Sequence, residues 1–198
     1  RTNIYGALLT NNIGFDVEID NEFDTPDENV EVWDGKKVTE PAYDDVTDTY
    51  TVTTGAELAW LADLVNGTTT RAAGNSLEGV TITLTKDIDL GGKEWTPIGD
   101  SEHIFKGTFD GDGKVVKNLV ITGNNSNVGL FGVTHEGEIK NFTVENAKVS
   151  GRLNVGVVAG QPYTSKYTGI TVTGHVEVNG MAYVGGVGGK NAYADWTN

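Results

Sequence analysis

Residues 95–132 decide the fold, and they contain three recognisable pieces: Trp-Thr-Pro-Ile-Gly at 95–99, Phe-Lys-Gly-Thr-Phe-Asp-Gly-Asp-Gly-Lys at 105–114, and Val-Gly-Leu-Phe-Gly at 128–132. The last piece recurs downstream as Val-Gly-Val-Val-Ala-Gly and as Val-Gly-Gly-Val-Gly-Gly. Its first residues, Val128, Val155 and Val184, are 27 and 29 residues apart. Self-similarity at a period of about 20–50 residues is typical of stacked repeat proteins.

A second pattern keeps a similar period. It begins at Lys117, Lys140 and Thr168, with spacings of 23 and 28 residues. Each period holds short runs of Val, Ile, Thr and Phe that are broken by Gly and Asn, which predicts short strands joined by turns. A unit of this length cannot bury its own apolar face, so neighbouring units must stack and share a core.

The fold predicted from these repeats is mainly β: a parallel (right-handed) β-helix solenoid with one N-terminal capping helix and a small N-terminal antiparallel β segment. A β-sandwich would show a hairpin signal every ~8–12 residues. The dipeptide Asn-Gly occurs only at 66–67 and 179–180. The solenoid is therefore the better prediction.

Charge and glycine divide the chain into two regions. The 198 residues carry a net charge of −14. Residues 1–63 hold fifteen Asp/Glu, three Lys/Arg and four Gly. Residues 64–198 hold thirteen Asp/Glu, eleven Lys/Arg and twenty-three Gly. We predict three segments: a short β segment at 1–34, an acidic linker at 35–49 and the β-helix domain at 50–198. The acidic balance argues against nucleic acid and anionic membranes as partners.

Other classes are limited by composition. The chain has no cysteine, which excludes disulfides and thiolate metal sites. It has no run of 18 apolar residues, so we expect no membrane span in this chain. It opens on Arg1, and we expect further domains of the same protein at both ends.

The first segment contains three strand-like runs, namely Ile4–Thr10, Phe15–Ile19 and Val30–Trp33. Residues 11–14 could close a hairpin between the first two. The runs either lie on the solenoid or are the closing strands of a domain whose beginning lies outside this chain, and the second alternative is favoured.

A helix is predicted at residues 55–66. Thr54 and Glu57 have the spacing of a capping box, in which each side chain satisfies a free amide of the first turn. Leu58, Leu61, Ala62 and Val65 follow as an apolar stripe. A helix ahead of a solenoid can plug the end of the stack, and Trp60 is expected in the core rather than in a ligand site.

The repeats start at about Val80 and end at Gly189. Because the tail after Gly189 offers no polar closing coil, we expect more coils to follow.

The pieces at 87–90, 95–99, 105–114 and 129–132 resemble the GLUG-motif repeat family of bacterial surface proteins, which includes adhesin-like proteins of Bacteroidales and regions appended to immunoglobulin A peptidases. Residues 1–6 and 30–35 more faintly resemble the closing strands of Bacteroidales fimbrillin-like domains. These resemblances imply a β-helical, cell-surface or pilus-associated protein without catalytic residues, anchored at the outer membrane in its full-length form.

The best candidates for chemistry are Asp110 and Asp112, two carboxylates in a glycine-rich loop. They could bind Ca²⁺ or form an acid/base pair. A tight turn in which Asp binds its own backbone is the favoured interpretation. Asp87 and Asp89 have the same alternatives, and a solvated turn is again favoured. Asp44, Asp45 and Asp48 could form a calcium site, but a solvated acidic linker is the favoured interpretation. His103, His135 and His175 do not follow the repeat period, so a metal site is not expected, and no cofactor is predicted.

The sequence thus predicts a non-enzymatic adhesin or stalk module, with a host glycan or an extracellular protein as the partner. The alternatives are a carbohydrate-active β-helix enzyme and a repeat module appended to a surface peptidase. Glycan stacking requires that Trp95, Tyr163, Tyr167, Tyr183 and Tyr193 line one exposed face.

Overall fold

The computed structural model describes residues 5–6, 15–16, 30–68, 74–191 and 193–197. Its helix, α1, spans Gly55–Val65. The strands are β1 Tyr5–Gly6, β2 Phe15–Asp16, β3 Ala42–Asp44, β4 Thr49–Val52, β5 Thr81–Leu84, β6 Ile88–Asp89, β7 Thr108–Ile121, β8 Phe131–His135, β9 Glu138–Ser150, β10 Leu153–Gly156, β11 Ala159–Tyr163, β12 Lys166–Asn179, β13 Ala182–Gly185 and β14 Asp195–Thr197.

These strands form a parallel β-solenoid, as predicted. Strands β4, β5, β7, β9, β12 and β14 are hydrogen-bonded in that order, each parallel to the next. Shorter parallel pairs, β8 with β11 and β10 with β13, belong to other faces of the coils. The long strands β7, β9 and β12 bend from one face to the next, and register shifts occur within them.

Register places one residue of each coil in an inward-facing column. The column contains Tyr50, Ile82, Phe109, Ile139, Tyr167 and Trp196. Its four middle members are at most 1% exposed. At another corner Val128 pairs with Val155, which pairs with Val184. The first repeat read from the sequence is therefore confirmed as structural register.

The second repeat was aligned incorrectly at its first member. Lys140 does pair with Thr168, but its partner in the preceding coil is Asp110, whereas Lys117 pairs with Glu145. Because β7 and β9 each bend through two faces, similar Lys-Asn segments occur at different positions of the coil. The 23-residue spacing joined two non-equivalent positions.

The predicted capping helix is confirmed. Thr54 Oγ1 accepts a hydrogen bond from the amide of Glu57, and the Glu57 carboxylate accepts one from the amide of Thr54. The helix is buried more completely than a single apolar stripe would require, since nine of its eleven residues are buried. Trp60 is 9% exposed and belongs to the core, as expected. Asn66, which ends the helix, binds Pro97 O and Gly99 N through its side chain.

The N-terminal part differs from the sequence prediction in three ways. The stack begins at β4 rather than near Val80, because β4 already pairs parallel with β5. The acidic segment 35–49 contains β3, which pairs antiparallel with β4 and covers that edge of the sheet. Trp33 is 7% exposed and its amide binds Asp89 O, so the third strand-like run lies on the solenoid. The tail also adds β14 to the stack.

Residues 5–6 and 15–16, which lie within the first two runs, form a small antiparallel pair, with Tyr5 opposite Asp16 and Gly6 opposite Phe15. The predicted hairpin loop, residues 11–14, lies outside the described residues. The domain boundaries at 34 and 49 remain predictions.

Candidate functional surface

Polar side chains one period apart connect successive coils. The pairs lie 27 to 29 residues apart and are the Asp87 carboxylate with Val115 N (2.9 Å), Asp89 with Asn118 (2.9 Å), Glu94 with Thr122 N (2.7 Å), Asn127 with Asn154 (2.6 Å), and Asn146 with His175 N (2.9 Å). These side chains satisfy polar groups between coils. This network was not predicted from the sequence, although an Asp, Glu or Asn followed about 28 residues later by a donor is a signal that a repeat-aware search could find.

Asp87 and Asp89, for which a solvated turn is the favoured prediction, also make contacts between coils. Asp87 Oδ2 lies 3.4 Å from Lys117 Nζ in the next coil, in addition to its bond to Val115 N. Asp89 Oδ1 accepts hydrogen bonds from Gly91 N and from Asn118 Nδ2. Both carboxylates therefore hold coils together.

Asp110 and Asp112 lie in β7, at the register shift rather than in a free loop. Asp110 Oδ1 accepts a hydrogen bond from Asp112 N at 3.0 Å and from Asn141 Nδ2 at 3.1 Å. Asp112 has φ 48°. This is the geometry of the turn that was favoured over a cation site. A lysine is close to each carboxylate, with Lys140 Nζ 3.8 Å from Asp110 and Lys114 Nζ 3.5 Å from Asp112.

The acidic group Asp44, Asp45 and Asp48 lies in the β3–β4 hairpin. Asp44 Oδ1 accepts hydrogen bonds from the amides of Val46 and Thr47, which lower its pKa. Asp48 accepts the Tyr43 hydroxyl at 2.7 Å, and this hydrogen bond raises the pKa of Tyr43 to about 12. Two of these carboxylates are thus engaged in local turn contacts.

The three histidines do not converge. Each lies beside a carboxylate close to it in sequence, at 3.3 Å for His103 and Asp100, 3.5 Å for His135 and Glu136, and 3.1 Å for His175 and Glu177. No group of three or more His, Cys, Asp or Glu that could hold a metal ion occurs within the part of the chain that the structure describes.

The five aromatic residues do not line one exposed face. Trp95 and Tyr167 are core residues at 2% and 1% exposure. The Trp95 indole donates to Leu130 O, and Tyr167 stacks on Trp196 at 4.0 Å between ring centroids. Burial raises the pKa of Tyr167 well above its usual range. Tyr183 and Tyr193 are exposed, and the condition set for glycan stacking on a shared aromatic face is not met.

An open groove of about 520 Å³ crosses the coils on the face formed by β6 and the second halves of β7, β9 and β12. Its polar lining is Asp89, Asn118, Asn146, Lys148, His175 and Glu177, and its apolar lining includes Val32, Val120 and Ala147. Lys148 Nζ lies 3.5 Å from Glu177, which also contacts His175. These contacts, led by the hydrogen bond from His175, lower the pKa of Glu177. This groove was not predicted from the sequence, because its residues come from four coils.

A second charged row lies on the first face of the coils. Glu138 accepts Lys140 Nζ at 3.0 Å and Lys166 Nζ at 3.1 Å. Both lysines lower the pKa of Glu138, and Glu138 raises the pKa of Lys140.

Two curated proteins are similar to parts of the chain. A 118-residue alignment, covering 52% of this chain, is 38% identical to Halomucin of Haloquadratum walsbyi. An 81-residue alignment, covering 37% of the chain, is 37% identical to a protein of Evansella cellulosilytica named as a Gly-rich membrane protein. The matches span 1% and 9% of those two proteins. No protein-family model and no solved structure matches the chain. Among the described residues, no helix is long and apolar enough to cross a membrane.

Proposed function

We propose that this chain is a non-enzymatic module of a cell-surface protein, an adhesin or stalk that presents a β-solenoid surface. The observation that carries the proposal is the use of its polar side chains. Three of the carboxylates that the sequence nominates for chemistry, Asp87, Asp89 and Asp110, bind partners in the next coil. Groups committed to coil-to-coil contacts favour a structural or display role over acid/base catalysis.

The proposal also includes the family and the location. The GLUG-type pieces at 95–99, 105–114 and 129–132 support membership of that repeat family, together with the fimbrillin-like resemblance of residues 1–6 and 30–35. Similarity to part of a protein named as a membrane protein supports attachment to a cell envelope. The small share of both relatives that is matched supports a repeat module within a longer protein.

The test is to immobilise the whole chain and incubate it with host glycans, plant glycans and extracellular matrix proteins. Retained ligand and released products are measured in the same samples. Retention without new reducing or unsaturated ends supports an adhesin, and neither retention nor products supports a stalk. If the wild type releases products and the Asp110→Asn/Asp112→Asn variant does not, the proposal is contradicted and the chain is a carbohydrate-active enzyme.

A further inference from the structure

The groove lined by Asp89, Asn118, Asn146, Lys148, His175 and Glu177 presents side chains from four successive coils. The pairing of β6 with β7, of β7 with β9 and of β9 with β12 sets the order of these coils. Adjacent strands lie about 4.8 Å apart, so three steps cover roughly 14 Å. The groove therefore repeats polar groups at a short, regular interval along its length.

We propose that this groove binds an uncharged linear oligosaccharide that runs across the coils. The inference rests on the proposed function as a surface module and names the ligand class of its adhesin form.

A peptide fits the groove less well than a sugar chain. The strands that form its floor are already paired, with Val120 opposite Lys148 and Lys148 opposite Glu177. An extended peptide gains affinity by pairing its backbone with an open sheet edge, and the floor of the groove is a sheet face. Recognition must therefore come from side chains.

The charge of the groove favours a neutral ligand. Lys148 lies beside Glu177 at 3.5 Å, and His175 is 3.1 Å from the same carboxylate. Asp89 already accepts two hydrogen bonds from its own chain. Lys148 thus balances Glu177, and the remaining carboxylate, Asp89, is held by its two hydrogen bonds, so the groove offers little net attraction for a polyanion or a cation.

The lining combines hydrogen-bonding groups with apolar surface. Val32 is 59% exposed beside the polar row, and Val120 also contributes. A sugar ring offers hydroxyl groups that both donate and accept, and C–H surface for the valines. None of the described residues lining the groove is Phe, Tyr or Trp, so binding depends on contacts added coil by coil, and affinity should increase with ligand length.

The experiment uses the whole chain and neutral cello-, xylo- and manno-oligosaccharides of two, four and six units. Isothermal titration calorimetry gives the affinity, and ¹H–¹⁵N NMR shifts give the location. At least one series should bind with perturbed amides at Lys148 and His175, and the four-unit ligand should bind about tenfold more tightly than the two-unit ligand. Lys148→Ala/His175→Ala removes two exposed side chains, 58% and 82% accessible, and should weaken binding by about tenfold. The control Lys86→Ala/His135→Ala removes the same residue types outside the groove and should bind as the wild type does.

Three results would overturn the inference: no binding in any series, binding that ignores ligand length, or binding unchanged in the groove variant. Preferential binding of anionic oligogalacturonates or of an extended peptide at the groove would also overturn it. Failure of the proposed function is distinguishable, because a sugar that binds and is then cleaved leaves the groove assignment intact and excludes a non-enzymatic role. If the chain binds no sugar and releases no product, the groove is not a sugar site, but the proposed role as a stalk still stands.

Discussion

Asn154 donates a hydrogen bond from Nδ2 to Oδ1 of Asn127, one coil earlier, over 2.6 Å. Both residues have positive φ, 56° and 60°. Asn tolerates this left-handed conformation better than other residues with side chains, apart from Asp and His. The two asparagines therefore turn the chain at the same corner of successive coils and join those coils through their side chains.

Asn154→Ala should lower the free energy of unfolding by about 2 kcal/mol, because it loses the side-chain hydrogen bond and places alanine at positive φ. Asn154→Gly keeps the permissive backbone and should cost about 1 kcal/mol. Urea denaturation of both variants measures the difference. A glycine variant less stable than the alanine variant would contradict this account of the corner.

The capping box gives a second prediction. Glu57 Oε2 accepts Thr53 N at 2.6 Å and Thr54 N at 3.1 Å, so Glu57→Ala leaves two amides without their acceptor. Glu57→Ala should cost about 1 kcal/mol, and Thr54→Ala a similar amount. Glu57→Gln is the matched control, because its amide oxygen can still accept. Equal unfolding midpoints for the Ala and Gln variants would show that the box contributes nothing.

Close approach between coils gives a third prediction. A Cβ on Gly132 would overlap Gly99 O, a backbone atom held in the ladder, whereas a Cβ on Gly186 would meet no atom within 4 Å. Gly132→Ala should destabilise the fold by about 3 kcal/mol or more. Gly186→Ala should stay within about 0.5 kcal/mol of the wild type. Thermal unfolding followed by circular dichroism compares them, and a wild-type-like Gly132→Ala would show that the coils are not packed this closely.

Acid should weaken the row formed by Lys140, Glu138 and Lys166. The lysines hold the pKa of Glu138 below its ordinary value of 4.5. A carboxylate with a lowered folded-state pKa contributes stability above the unfolded-state pKa and loses it as the pH falls through the folded-state pKa. The stability difference between the wild type and Glu138→Gln should therefore be largest above about pH 4.5 and shrink in acid. In a Lys140→Ala/Lys166→Ala background, the effect of Glu138→Gln on stability should hardly depend on pH. If the pH dependence persisted in that background, groups other than these two lysines would be its cause.

The elements predicted best were those specified by local sequence. The capping box needs only Thr54 and Glu57 at the right spacing, and the corner valines Val128, Val155 and Val184 keep their period because each must fit the same turn. Both features follow from short-range geometry, and both are confirmed.

The elements predicted poorly depend on contacts between distant positions. Lys117 and Lys140 have similar neighbours in sequence but lie at different positions of the coil, and only the pairing of β7 with β9 shows this. Trp33 precedes the stack in sequence yet packs against Trp95 at 5.7 Å. Sequence proximity could not show that Asp89 would find Asn118, which is 29 residues away. For this chain, the period predicts the fold, whereas local sequence alone does not show which polar side chains join successive coils.

The central claim is that the suspected catalytic or calcium-binding carboxylates are structural, and Asp110 tests it most directly. We would measure a double-mutant cycle of Asp110→Ala with Asn141→Gly by urea unfolding, in calcium and in chelator. Glycine suits the Asn141 position, where φ is 59°, because Gly169 occupies the equivalent place in the next coil at 61°. The account predicts a coupling of about 0.5–1 kcal/mol that is the same in both conditions. The account would be contradicted if the two substitutions showed no coupling and calcium raised the stability of the wild type but not that of Asp110→Ala.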